Sequence, residues 1–199
     1  MRRFAARLSY GAFGSEIVFG DLAGFVERRA FAAGLEWRAS PEVTVQLGGG
    51  VGHGGRLVVD GVHHEMLPGW LATAAGSWRV IGGPGRPEFT LLTMTLGASG
   101  ARTRALGADA TERYLAIDAR LGAAFGYTLF DAMSPYAAAR VFGGPILWRF
   151  RGEDRQGTDS YHYQLALGLS AALPGGFDVM AEGAFIGERG ATVGVGKVF

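Results

Sequence analysis

Two stretches of the chain hold residue types that could do chemistry. Asp60, His63, His64 and Glu65 fall close together, where imidazole and carboxylate could ligate a metal or act as acid and base. Successive residues of a strand point to opposite faces, so His63 and His64 share a metal only if the stretch is a loop. His162 lies near Ser160 and Ser170, the types of a base and a nucleophile, and the three share one parity. No third group stands beside them to orient the imidazole. The reading favoured by both spacings is a solvated loop in the first case and no catalytic centre in the second, with no metal, cofactor or catalytic residue expected.

A third set is spread along the whole chain. Arg7, Glu36, Arg38, Asp118, Arg120, His162, Gln164, Asp178 and Glu182 each fall on the polar side of an alternating segment. Collected on one face, they form either a polar passage for ions and small solutes or a plug of charges paired across an interior. Unpaired buried charges are costly, which favours the plug.

The elements that position this set are strands. The hydrophobic period is 2 over most of the chain. Phe31, Ala33, Leu35 and Trp37 alternate with Ala32, Gly34, Glu36 and Arg38; Leu115, Ile117, Ala119, Leu121, Ala123 and Phe125 alternate with Ala116, Asp118, Arg120 and Gly122. Val43–Val51 and Tyr161–Ala171 repeat the pattern. Adding Arg3–Phe13, Trp70–Trp78, Glu88–Ser99, Tyr136–Phe142, Phe177–Gly187 and Ala191–Phe199 gives ten predicted strands, most near the 9–11 residues that cross a bilayer at a tilt. In Glu88–Ser99 two apolar sets compete for the outer face, Phe89, Leu91 and Thr93 against Leu92, Met94 and Leu96. Arg140 shares parity with Tyr136 and Phe142, which would turn it to lipid unless a bulge shifts the parity.

Composition narrows the setting. The 34 glycines have no three-residue period and the chain is 48% hydrophobic, which excludes collagen and disorder. The net charge of +1 and the scattered basic residues give no stripe for phosphate contacts, so nucleic acid is not an expected partner. There is no cysteine, hence no disulfide, no Cys-ligated zinc and no thiol nucleophile. No apolar run approaches 18 residues, and a closed barrel is the other way to satisfy backbone groups in lipid. Residues 1–199 read as one domain. The start, Met1 to Arg7, has charges without an apolar core, so no signal peptide is expected in it.

The connections alternate in length. Long ones span Gly14–Arg29, Gly52–Gly69, Gly100–Arg113 and Gly143–Ser160, short ones Ser40–Glu42, Arg79–Pro87, Thr128–Pro135 and Leu173–Gly176, and the turn near Glu188–Gly190 is short on the long side. Aromatics then gather at both strand ends: Phe4, Trp37, Trp78, Phe89, Tyr127, Tyr136, Phe177 and Phe199 at one, Tyr10, Phe31, Trp70, Tyr114, Phe142, Tyr161 and Phe185 at the other. On these features, and on the end Ala191-Thr192-Val193-Gly194-Val195-Gly196-Lys197-Val198-Phe199, the chain resembles the small outer-membrane β-barrel proteins of Gram-negative bacteria, the OmpA-type and OmpW-type group. Lys197 stands where that pattern has an aromatic or apolar residue, and a lysine at the interface can snorkel.

The resemblance implies an all-β, transmembrane, antiparallel up-and-down barrel of about ten strands, eight or twelve if one hairpin is misread. It implies contact with outer-membrane lipid, and assembly by the barrel-assembly machinery through the C-terminal strand with Phe199 as the signal. The expected role is a structural or docking component of the cell envelope, or a narrow passive channel, and not an enzyme. The alternatives are a lipid A or peptide hydrolase using His162 or His63, and a soluble lipocalin-like barrel with the faces exchanged. The apolar stretches Ile17-Val18-Phe19, Leu57-Val58-Val59 and Ile146-Leu147-Trp148 inside the long connections admit two readings. They contact an envelope protein partner, a lipid or an apolar solute, or they belong to extended hairpins that bury them against one another.

Overall fold

The computed structural model describes residues 3–83, 86–150 and 152–199. Met1 and the Pro84-Gly85 half of one glycine-rich turn lie outside the described residues. The strands are β1 (Phe4–Phe19), β2 (Leu22–Arg38), β3 (Val43–Val59), β4 (Val62–Met66), β5 (Gly69–Gly83), β6 (Arg86–Ala105), β7 (Thr111–Tyr127), β8 (Met133–Gly143), β9 (Ile146–Phe150), β10 (Glu153–Asp159), β11 (Tyr163–Leu173), β12 (Phe177–Gly187) and β13 (Arg189–Val198). All pairings between them are antiparallel.

Pairing closes the chain into a ring twice, at two heights. At the end near the termini the ring is β1-β2-β3-β5-β6-β7-β8-β11-β12-β13, a ten-stranded barrel sealed by β13 on β1. Above it the strands run on: β4 takes the place of β5, β9 that of β8, and β10 that of β11. There β10 pairs directly with β1, Ile17 against Asp159 and Val18 against Thr158. The upper ring is therefore β1-β2-β3-β4-β6-β7-β9-β10, eight strands, because β12 and β13 turn back at Gly187-Glu188 and the chain passes over them. Gly187 is required at that turn. Its φ is +75°, and a Cβ there would lie 1.7 Å from the Tyr163 carbonyl oxygen.

The bounds of the long connections are thus corrected: they are mostly strand, the extended hairpins of the second reading of their apolar stretches, and form a narrower dome on the barrel. The second of them is a hairpin whose turn, Asp60-Gly61, has positive φ at both positions, the two-residue geometry that matches strand twist.

Alternation gives the lower barrel an apolar outside and a polar inside. Leu8, Leu35, Leu47, Leu121 and Leu167 are each more than half exposed on the outer wall. In β6 the outer set is Leu92, Met94 and Leu96. Aromatic belts at the two heights keep Phe4, Trp37, Trp78, Tyr127, Phe177 and Phe199 on the terminal side and Phe31, Trp70, Tyr161 and Phe185 on the other. Phe89, Tyr114, Tyr136 and Phe142 leave the predicted belts and face inward. In β8 the whole strand is reversed from expectation: Ala137, Ala139 and Val141 face out, while Tyr136, Arg140 and Phe142 face in. A guanidinium facing lipid near the midplane costs about 2–4 kcal/mol, which turning β8 this way avoids. Gly168 makes room for this arrangement, since a Cβ there would sit 2.2 Å from the Tyr136 ring. The soluble, inside-out alternative is overturned by these faces.

Candidate functional site

The interior has three levels. Nearest the termini, Arg7 of β1 donates to Glu36 of β2 at 2.8 Å and to Asp178 of β12, tying three strands around the closing seam. Strand alternation brings them together because Ala5, Arg7 and Ser9 share the inner face of β1.

At mid-height the side chains form one connected lattice. Arg120 donates to Asp118 at 2.5 Å and, through both terminal nitrogens, to Glu188 at 2.6 and 3.0 Å. Its guanidinium lies 4.8 Å from the Phe142 ring centroid. Gln164 bridges onward, donating to Glu188 at 2.9 Å and accepting from Arg140 at 2.7 Å. Arg140 then grips Glu182 with two contacts of 2.8 and 2.6 Å, and the Tyr136 hydroxyl donates to the same carboxylate at 3.0 Å. Bidentate guanidinium–carboxylate pairs are the strongest and most directional of such contacts. Beside the lattice is a cavity of about 450 Å³, bordered by Phe13, Thr93, Thr95, Arg120, Arg140 and Glu182.

The third level is the inside of the dome, and it is apolar. Ile17 and Leu57 are 0% exposed, Trp148 and Met66 1%, packed with Phe19, Val26, Val59, Tyr114 and Ile146. Trp148 centres the cluster. Its indole N–H donates to Thr103 at 2.9 Å, and its ring meets Phe19, His64 and Phe150 at centroid distances of 5.4, 5.0 and 4.6 Å. These side chains fill the interior on the dome side.

Where dome and barrel meet, Asp159 accepts from the Ser15 hydroxyl at 2.7 Å. Burial pushes the Asp159 carboxyl above its ordinary range, with the Ser15 hydrogen bond opposing the shift. Burial likewise pushes Tyr114 up and lowers Arg28, a 4% exposed guanidinium of β2 within electrostatic reach of Tyr114.

Of the sequence-predicted residues, Arg7, Glu36 and Asp178 meet in one cluster, and Asp118, Arg120, Gln164 and Glu182 in the other. Arg38 is half-buried at the terminal end and, among the described residues, has no ion pair. His162 is exposed on the segment that crosses above the short hairpin, its ring Nδ1 3.2 Å from the Phe142 carbonyl oxygen. Ser170 lies at the far end of β11 beside Ser134, away from His162. His63 and His64 are divided by strand alternation, the first exposed and the second 2% exposed in the dome core, which corrects the solvated-loop reading for His64.

Three lattice residues escape the sequence reading. Arg140 and Tyr136 were expected on the outside, and Glu188 in a plain turn. The signal for Glu188 was the short turn itself, which must lie below its neighbours and can tip a side chain into the interior. Lys197 points outward at the end of β13, its ammonium 4.0 Å from the Phe177 ring centroid and donating to the Gly175 carbonyl at 2.5 Å, the expected interfacial snorkel.

No family model and no curated protein matches the chain. Solved structures do. The chain is similar over 99% of its length to 97% of the outer membrane protease OmpT of Escherichia coli, at 10% identity and a TM-score of 0.66. The translocator domain of the autotransporter NalP of Neisseria meningitidis matches at 14% identity and TM-score 0.56, with 100% of this chain and 89% of that one covered. The transport unit of the autotransporter AIDA-I of Escherichia coli matches at 12% identity and TM-score 0.53, over 100% and 91%. The fold is that of the bacterial outer-membrane β-barrels.

Proposed function

We propose that this chain works in the outer membrane as a closed barrel, a structural or docking element of the cell envelope. One observation carries the reading: the dry core around Trp148, Ile17 and Leu57 seals the interior above a lattice in which Arg120, Arg140, Glu182 and Glu188 are engaged with one another. An open pore needs water-lined continuity. An acid–base catalyst needs a group that is not fully committed to its neighbours. The similarity to a protease is one of fold, and nothing in the lattice resembles an exposed nucleophile with its base.

The C-terminal strand supports the assembly reading. The Phe199 amide donates to the Phe4 carbonyl at 2.8 Å, so the last residue completes the seam, and its ring is 64% exposed on the outer wall. A partner of the envelope is met by the outside of the dome, since the inward residues of the apolar connections, Ile17, Phe19, Leu57, Val59, Ile146 and Trp148, are used in its core.

Conductance of the refolded protein in planar bilayers tests this, alongside the heat-modifiable gel shift that reports a folded barrel. The expected result is a gel shift without steady conductance. Steady single-channel openings from the folded protein would overturn the closed reading and make the chain a channel.

A further inference from the structure

Two rows of charged side chains run around the outside of the dome, and they are built in opposite ways. Across β2, β3, β4 and β6 the register puts Glu27, Arg56, Glu65 and Arg104 side by side, alternating in sign. They pair, Arg56 with Glu27 at 2.9 Å and Arg104 with Glu65 at 2.6 Å. Across β6, β7 and β9 the signs do not alternate. Arg102 is the direct cross-strand partner of Arg113, and the register that sets Tyr114 against Trp148 brings Arg149 opposite Arg113 on its other side. All three are exposed and, among the described residues, none is in an ion pair. Like charges directly opposed on a sheet are destabilising, so the row calls for an anion.

Its height says which anion. Two residues below on the same outer face runs the row Trp70, Gly100, Leu115 and Leu147, with the Trp70 indole lying across Gly100. Trp70 belongs to the upper aromatic belt, so one outward-facing step, about 6–7 Å along the strands, carries the wall from hydrocarbon to three guanidiniums. That is headgroup depth. Asp154, the cross-strand partner of Arg149, borders the row on one side, and Arg104, held by Glu65, stands two residues above Arg102 on β6.

We propose that Arg102, Arg113 and Arg149 form a binding site for a phosphate-bearing lipid headgroup of the outer leaflet, with the lipid's acyl chains against Leu115, Leu147 and Trp70. Guanidiniums suit this ligand because their paired N–H groups match phosphate oxygens. The site rests on the chain being in a membrane and is independent of whether the barrel conducts.

The experiment uses the refolded full chain, its gel shift confirming the barrel, delipidated and titrated with bis-phosphorylated lipid A or with phosphatidylcholine of similar chains, bound lipid being counted by native mass spectrometry. The triple variant R102Q/R113Q/R149Q is expected to lose about a hundredfold in affinity for lipid A and little for phosphatidylcholine, at about a factor of five per basic residue near a charged membrane surface. The double variant E27Q/R56Q, in the self-paired row, is expected to bind as the parent does. Retained lipid A binding in the triple variant would overturn the proposal, as would complete displacement of the lipid by inorganic phosphate alone. Should the triple variant fail to give the gel shift, Arg113→Gln replaces it, with a loss of about fivefold expected and none overturning the site.

Discussion

The dome and the barrel beneath it are made from the same strands, with the same two-residue alternation, yet they invert one another. Within the membrane band the apolar side of each strand faces out and the charged side in; above the upper belt the apolar side faces in and the charged side out. β3 shows how one strand does both. Leu47 and Val51 face lipid, whereas Leu57 and Val59, of the same parity in sequence, fill the dome core. Between them the register with β2 slips, with Arg29 opposite Gly54 and Ala30 opposite Gly52, so His53 is extra and every later side chain changes sides. β7 needs no bulge because its sequence switches instead, from lipid-facing Ile117 to inward Tyr114. The difference teaches that polarity alternation names two faces without naming inside and outside, which the surrounding solvent decides.

The sharpest way to break this comparison is Trp148→Ala. Emptying the centre of the dome core should cost about 3–5 kcal/mol and leave Thr103 without its donor. Trypsin should then cut the dome, for instance at Arg155, while the gel-shift temperature of the barrel stays near that of the parent. If both change together, dome and barrel are one cooperative unit. Next in size is Glu188→Ala, which takes from Arg120 its two-pronged partner, leaves it Asp118 alone and should destabilise by about 2 kcal/mol, read as a lower gel-shift temperature. The paired change Arg120→Leu with Glu188→Leu should recover only part of that loss, since it removes both charges of the pair but takes from Asp118 its guanidinium. A double variant as weak as the single one would mean that Asp118 and Gln164 depend on the pair.

Deleting His53 should do less. The extra residue goes, the faces above and below stay as they are, and the ring contacts with Tyr10 and Phe31 are lost for about 1 kcal/mol. Tryptic exposure of the dome would show that the bulge does more than re-phase the strand. The smallest effect is a slope with pH. Burial raises the Asp159 carboxyl, so its proton favours the folded dome: this contribution is complete below the ordinary aspartate value of about 3.9 and is lost as pH rises through the raised one. The opening equilibrium at the β1–β10 contact, read from hydrogen exchange after division by the intrinsic amide rate at each pH, should therefore grow with pH across that window, and Asp159→Asn should flatten the slope. An unchanged slope in that variant would place the sensitive group elsewhere.

Much of the barrel was legible from sequence because a strand that divides lipid from a polar interior must alternate, and an even count must return both ends to one side. The inner charges of β1, β2, β7 and β12, and Gln164 of β11, followed from parity alone. β8 did not, because Tyr136 and Phe142 resemble belt aromatics when Arg140 is read as the exception; the pairing with Glu182, on a distant strand, reverses the weighing. The dome was hidden for a related reason. Its apolar residues were visible in the long connections, but whether such a stretch buries itself or contacts a partner depends on closure between β1 and β10, and Ile17 and Asp159 are too far apart in sequence for any local pattern to show it.

That closure has a kinetic consequence. The seam between first and last strands is where a barrel can begin to unzip, and here β1 is clasped twice, by β13 along its lower half and by β10 at its upper end. Peeling β13 away frees only part of the edge; β1 stays held until the dome also opens. Interactions that must already be broken in the transition state for opening slow unfolding more than they speed folding. The short hairpin that lets β10 reach β1 thereby lengthens the lifetime of the closed barrel.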